Sequence, residues 1–257
     1  LAVQAYGKRS HSVVDWLDQL SNKRARMNVR LVKGAYWDYE IKNAQVRGLA
    51  GYPVFTNKQL TDLNYLVTAR RLMECCNLDA SFATHNAHSI AAIMSLNEGS
   101  DKKIEFQRLY GMGELLYSAC EASYQHFPET SIYCPIGRHK ELLPYLVRRL
   151  LENGANSSFI NKYLNKNIPE IDLAKNPAES IKKKIDNFNI SNITLPEDLY
   201  LPRINSSGFD LNENESIENL MKEINEFSKH TFEAYSKSIH TFAKPYTEEV
   251  ISKCSNK

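Results

Sequence analysis

Along residues 2 to about 155, short apolar runs with a two-residue rhythm alternate with longer stretches in which apolar positions recur every three or four residues. The first rhythm belongs to strands and the second to helices. VQAY (3–6) predicts a strand, followed by a helix over about 10–26. NVRLVKGAY (28–36) predicts a second strand, with a helix near 38–48. After the loop GYPVFTNK comes a helix at about 59–76. ASFATHN (80–86), KIEFQRLY (103–110) and SIYCPI (131–136) predict three more strands, followed by helices over 87–98, 114–125 and 138–155.

Strands that each lead into a helix predict an α/β fold with a parallel sheet. The five units take about 155 residues, about 31 each. Eight such units would fill the roughly 250 residues of a complete (β/α)8 barrel. The expectation is a partial (β/α)8, TIM-like barrel with a C-terminal helical extension. The chain opens LAVQAYGKRS, without Met and already on a strand, so it reads as cut from something longer or as starting inside a domain.

Beyond this region the pattern changes. Residues 165–188 predict short helices ending in the Lys-rich KKKIDNF, and 189–216 read as an Asn/Ser/Pro-rich connector. Residues 217–242 have helical periodicity, with Leu220, Ile224, Phe227, Thr231 and Ala234 on a packing face. The expected organisation is therefore 1–163, 164–216 and 217–257.

Composition adds exclusions. A 42% hydrophobic and 24% charged chain is ordinary for a soluble globular protein. The net charge of +2 provides no field for nucleic acid or an anionic membrane. No apolar run approaches the ~20 residues of a bilayer span, and no signal-peptide pattern is visible. Five cysteines, two of them adjacent, form neither a C-x-x-C pair nor a spaced zinc set, and read as free thiols in a reducing compartment.

Candidate chemistry lies at the strand ends and on the last helix of the alternating region. Arg30, Lys33, Thr84, His85, Asn86, Gln107 and Tyr133 fall near the C-terminal ends of predicted strands, the end at which barrels place their catalytic mouth. For each alone the competing reading is a satisfied loop or core polar group. In HKELLPYLVRRLLENGAN, the spacing of Tyr145, Arg148, Arg149 and Glu152 puts all four on one helix face. Adjacent guanidiniums suit a carboxylate or phosphate, and the competing reading is a solvated face of Arg–Glu pairs. His85 and His88 in HNAH have the spacing to meet on a helix, but no H-E-x-x-H signature or acidic partner supports a metal, and none is predicted. GMGE (111–114) lacks the third glycine of a dinucleotide fingerprint and reads as a turn into the next helix. Cys75 and Cys76 lie in a helix-like segment and read as packing.

Three stretches, RLVKGAYWDYEI (30–41), GYPVFT (51–56) with FATHNAH (82–88), and YCPIGRHKELLPYLVRRLLENGANSSF (133–159), together with EFQRLYGMGELLY (105–117), resemble the proline dehydrogenase domain of bifunctional proline utilization A. The likeness runs in order from Leu1 to about Tyr163 and continues through LPEDLYLPRINSSGFDL (195–211), similar to the connector toward that family's aldehyde dehydrogenase domain. The resemblance implies a distorted (β/α)8 barrel holding FAD without a covalent bond. It implies oxidation of L-proline to Δ1-pyrroline-5-carboxylate, in catabolism to glutamate, with hydride passing to flavin and electrons to a membrane quinone. It places Arg30 beside the hydride-accepting flavin nitrogen as the catalytic residue. It assigns Gln4, Val32, Lys33, Gly34, Ala35, Trp37, Thr56, Thr84, His85, Asn86 and Gln107 to the cofactor. Arg148 and Arg149 resemble the clamp on the proline carboxylate, and Glu152, Tyr133, Tyr145 and Leu109 the pocket walls. A cytoplasmic protein that approaches the inner face of the membrane is implied as well.

The family's first barrel strands carry a substrate-pocket lysine and an aspartate with no counterpart in this sequence. A second reading is therefore a non-catalytic remnant or split-gene product that needs a companion chain for those strands. A third, a cofactor-free barrel binding phosphate or carboxylate, is disfavoured by RLVKGAYW.

Overall fold

Five strands form one sheet in chain order, β1 (Ala2–Gln4), β2 (Met27–Val32), β3 (Leu78–Ala83), β4 (Ile104–Leu109) and β5 (Glu129–Tyr133), every neighbouring pair parallel. The computed structural model describes residues 1–21, 25–154, 169, 176, 178–179, 181–182 and 193–231, apart from the side chains of 150 and 152–154. Between and after the strands lie α1 (Ser10–Leu20), α2 (Trp37–Val46), α3 (Lys58–Glu74), α4 (Ala87–Asn97), α5 (Glu114–Ser123) and α6 (His139–Gly154), then a 3-10 turn at Pro196–Asp198 and α7 (Asn214–Phe227). This is the α/β alternation expected of barrel units, each strand followed by a helix.

The pleat sorts residues into two unlike faces. Val29 and Leu31, Ala80 and Phe82, Ile104 and Phe106 point one way and are buried against Val14 and Leu17 of α1, Tyr65, Ala69 and Leu72 of α3, Ile90 and Ile93 of α4, and Tyr117 of α5. Each fully buried large side chain contributes about 1.5–3 kcal/mol of transfer free energy. Aromatic contacts tighten this layer: Phe106 stacks on Phe127 at 5.2 Å between centroids and meets Tyr117 edge-on at 6.3 Å. On the opposite face the register sets Arg30 beside Ser81 and Ser81 beside Glu105, with Gln107 between Ala83 and Ser131. That face is polar along its length, not only at the strand tips.

A smaller cluster of Tyr6, Ile41, Ala44, Leu49, Tyr52 and Val54 packs α2 and the following loop, with Trp37 and Ile193 against it. It also holds the later connector, because Tyr52 Oη donates to the carbonyl of Thr194 at 2.7 Å. The backbone N–H of Gly208 donates to the carbonyl of Gly48 at 2.7 Å, and a Cβ at Gly208 would lie 1.8 Å from the Arg47 carbonyl oxygen. The fold divides into two compact units, Leu1–Gly208 and Phe209–Lys257. No helix among the described residues is long and apolar enough to cross a membrane.

The elements differ from the sequence pattern at their ends. The first helix stops at Leu20 rather than 26, and Ser21 turns extended. Arg26 instead leads into β2, its guanidinium bound to Asp79 at 2.8 Å and to the carbonyls of Cys76 and Leu78. The strand predicted over 28–36 ends at Val32, where Gly34 takes φ 126°, and the one over 80–86 ends at Ala83. The strand predicted over 131–136 spans Glu129–Tyr133, because Pro135 has no N–H for a ladder. Helix α3 closes at Glu74, so Cys75 is its C-cap and buried, while Cys76 lies beyond it and is exposed. His85 precedes α4 rather than sharing a helix with His88. The helix predicted over 217–242 starts earlier and ends at Phe227. None of its residues is buried, and Ile224 and Phe227 are 49% and 66% exposed, so the expected packing face is uncovered among the described residues. Residues 232–242, with Ala234, lie outside the described residues, as does most of 165–188.

Candidate active site

The polar face and the loops at the carboxyl ends of the strands enclose a cavity of about 740 Å³. Parallel α/β sheets place ligands at this end because the loops there vary without disturbing the core. A volume of this size lies in the range of small-molecule and cofactor sites.

Arg30 and Gln107 anchor the floor. Arg30 Nε donates to Gln107 Oε1 at 2.7 Å, and its guanidinium lies over the Tyr133 ring, 4.7 Å from the centroid. Gln107 Nε2 in turn donates to Glu105 Oε2 at 3.1 Å. Burial pushes Glu105 upward, but hydrogen bonds from Ser131, Ser81, Gln107 and Asn28 outweigh it and hold the carboxyl below its ordinary range.

Four hydrogen bonds fix the Thr84-His85-Asn86 loop. Tyr117 Oη donates to the Thr84 carbonyl at 2.9 Å. The Asn86 N–H donates to Thr84 Oγ1, and Asn86 Oδ1 caps α4 by accepting from the Ser89 N–H, both at 3.2 Å. Between them, His85 Nε2 accepts from the Leu109 N–H at 3.2 Å. Burial, then the charges of Arg108, Arg149 and Arg30, lower the His85 pKa, so the ring is neutral and carries its proton on Nδ1. The second glycine of GMGE makes room for that ring. Gly113 has φ 71°, and a Cβ there would sit 2.8 Å from His85 Cδ2.

On the β2 side, Lys33 pairs with Asp62, which also accepts from Lys58 at 3.1 Å. Burial would raise the Asp62 carboxyl, but the two ammoniums overcome it and keep the group ionised. Gly34 packs its backbone on the Tyr6 ring, where a Cβ would come within 2.6 Å. From α6, Arg149 lies 5.1 Å from the Tyr145 ring centroid, and both line the cavity. Tyr145 hydrogen-bonds Tyr133, and burial raises its phenol pKa.

Of the residues nominated from sequence, Gln4, Arg30, Val32, Lys33, Gly34, Ala35, Thr84, His85, Asn86, Gln107, Tyr133, Tyr145 and Arg149 line this one cavity. Trp37 does not: its indole N–H donates to the Phe55 carbonyl at 2.8 Å, and its ring packs on the smaller core cluster. Thr56 and Leu109 are also off the lining, Leu109 being buried while its N–H holds His85. Arg148 stands at the rim, its guanidinium 4.2 Å from the ring centroid of Tyr36, which does line the cavity. The side chain of Glu152 lies outside the described residues. Sequence reasoning passed over Tyr36, Lys58 and Met112 of the lining, and the Glu105–Ser81–Asn28 ladder below it. A carboxylate at alternate spacing from Gln107 on one strand was the available signal for the ladder. Among the described residues no three His, Cys, Asp or Glu side chains gather as a metal requires.

A parallel α/β sheet with a cationic, cofactor-sized mouth at its carboxyl edge defines the class. The chain belongs to the proline dehydrogenase family, whose model matches residues 1–162. It is 47% identical over 222 residues to the bifunctional protein PutA of Salmonella typhimurium, covering 81% of this chain and 17% of that protein. Proline dehydrogenase 1, mitochondrial, of Arabidopsis thaliana is 34% identical over 165 residues, 59% of this chain and 32% of the relative. Among solved structures, proline utilization A with proline bound in remote sites superposes with a TM-score of 0.77 at 44% identity, over 88% of this chain and 23% of that one. The Bdellovibrio bacteriovorus enzyme inactivated by N-propargylglycine gives a TM-score of 0.69 at 32% identity, over 89% of this chain and 23% of that one. The chain thus spans about one-fifth of the length of the bifunctional relatives it matches.

Proposed function

We propose that this chain supplies the flavin- and substrate-binding side of an FAD-dependent proline dehydrogenase, oxidising L-proline to Δ1-pyrroline-5-carboxylate. The observation that carries the reading is the convergence of Arg30, His85 and Arg149 on one cavity in a member of this family.

The residues present suit FAD. Lys33 and Lys58, sharing the carboxylate of Asp62, leave a net positive charge at the cavity for a pyrophosphate, and Gln4 offers a donor and an acceptor for a pyrimidine edge. Gly34 forms its part of the wall from backbone alone, which permits close approach. FAD, when bound, would supply the acceptor for the hydride that leaves the ring CH2 beside the proline nitrogen, while the nitrogen lone pair forms the C=N bond and the nitrogen's proton goes to solvent. The protein's part is placement and charge. Arg149, with Arg148 at the rim, grips the substrate carboxylate through charge-assisted hydrogen bonds. Tyr133 and Tyr145 form the wall against which the ring lies, fixing a near-attack pose. Arg30 stabilises negative charge developing across the cavity, and neutral His85 donates from Nδ1. In this reading Trp37, whose indole N–H holds the Phe55 carbonyl, supports the cofactor loop from behind, and Leu109, whose N–H holds His85, does so for the substrate wall. Electrons then pass to a quinone at the inner face of the membrane, and the product goes to an aldehyde dehydrogenase domain.

A second reading, that the chain works only with a companion supplying further barrel strands, is favoured by one observation. The apolar Ile132 of edge strand β5 and the nearby Ile136 are 51% and 94% exposed. Purification of the chain, alone and co-expressed with a segment carrying further barrel strands, tests both. The expected result is a yellow protein that releases flavin on denaturation and reduces a quinone analogue when given proline. Activity only after co-expression selects the second reading. Colourless, inactive protein in both preparations overturns the function.

A further inference from the structure

We infer that Glu105 is the positioning residue for Arg30, acting through the amide of Gln107. The inference adds to the proposed function a residue that does not touch the cavity, and its flavin arm rests on that reading.

The chain of contacts has one direction. A carboxylate only accepts hydrogen bonds, so Glu105 Oε2, 3.1 Å from Gln107, makes that end of the amide the NH2. The other end is then the carbonyl, which is what Arg30 Nε requires at 2.7 Å. Reversing the amide would set its NH2 against a guanidinium and its oxygen against a carboxylate, two repulsive contacts in place of two attractive ones. Ser81 Oγ fixes Glu105 from the far side at 2.7 Å, and Ser81 is fully buried on the neighbouring strand. The parallel register places Ser81 beside both Arg30 and Glu105, so the sheet itself holds the ends of the relay. With Nε occupied and the Tyr133 ring 4.7 Å from the guanidinium carbon, the remaining Nη donors of Arg30, which lines the cavity, have a set direction. The relay also tempers the arginine's charge. One negative group, one amide away, lowers the positive potential that Arg30 presents to whatever occupies the site.

Three variants test direction and charge separately. Glu105→Leu removes the acceptor. Glu105→Gln keeps an acceptor for Gln107 but removes the charge. The double change Glu105→Gln/Gln107→Glu moves the carboxylate directly onto Arg30. In protein with 15N-labelled arginine, the Arg30 Nε–H signal is identified by its loss in Arg30→Lys. Its hydrogen exchange should quicken about tenfold in Glu105→Leu, as expected for loss of a constrained hydrogen bond, and return to the wild-type rate in the double variant. In the flavin-loaded protein, Glu105→Gln should shift the midpoint potential in the positive direction, because a less compensated Arg30 favours the reduced form. Exchange unchanged in Glu105→Leu, failure of the double variant to restore it, or a potential unmoved by Glu105→Gln would overturn the inference. A merely structural role would lower the thermal midpoint and leave exchange and potential where they were. If wild-type protein holds no flavin, the proposed function fails, while the exchange measurement still decides whether Glu105 positions Arg30. If Glu105→Leu does not fold, Glu105→Ser, which keeps a polar group but is too short to reach Gln107, takes its place in the exchange measurement with the same two outcomes.

Discussion

Arg148 and Arg149 are adjacent yet differently placed, one over the Tyr36 ring at the rim and the other inside the cavity beside Tyr145. Loss of a charge-assisted hydrogen bond costs about 1.5–3 kcal/mol. Arg149→Met is therefore expected to raise the proline KM about tenfold to a hundredfold with flavin retained, and Arg148→Met to do so as well. Steady-state kinetics alongside flavin absorbance check this, and an unchanged KM in either removes that arginine from the clamp. His85 supports a prediction about pH. Burial and three arginines lower its pKa from the ordinary 6.5, and burial, then Lys33, lower that of His88 against the pull of Asp62. The unfolded chain then takes up protons first, so this contribution is complete above pH 6.5 and stability declines as the pH falls below it. The lowered carboxyls of Asp62 and Glu105 add their losses only further down, below the ordinary carboxylate range. His85→Gln keeps an acceptor for the Leu109 N–H but does not titrate. Its urea unfolding free energy is expected to fall less steeply than the wild type's between about pH 6.5 and 5.5.

At the scale of elements, caps and turns position the site as much as strands do. Gly113 opens α5 in the left-handed region and leaves room for His85. Gly113→Ala should cost about 1–2 kcal/mol from backbone strain, more where the His85 ring must give way; denaturant titration reads it. The strand–helix alternation was legible because the two periodicities differ and repeat five times. Strand ends were not, since Lys33 to Tyr36 and Thr84 to Asn86 carry the pattern onward while their backbone turns away to form the cavity wall. The sequence motifs brought most nominated residues to that wall. They could not separate Trp37, which packs beneath, from Lys33, which faces the cavity, because both lie in one short loop. The ladder from Asn28 through Ser81 to Glu105 was illegible for another reason. Its partners are 53 and 24 residues apart, and only the parallel register makes them neighbours.

Across the whole molecule, stability is concentrated in the layer between sheet and helices. Phe106, fully buried among Phe82, Tyr117 and Phe127, should cost about 3–5 kcal/mol when cut to Ala. Ile224→Glu on exposed α7 should stay within about 0.5 kcal/mol of wild type, and thermal unfolding of the two variants gives the contrast. The clasp between Gly48 and Gly208 has a consequence for anything attached downstream. With two backbones touching and no space for a methyl group at Gly208, the polypeptide departs the first unit from a fixed exit. Whatever follows is therefore tethered from Phe209, and only the chain beyond that point sets how far it can range.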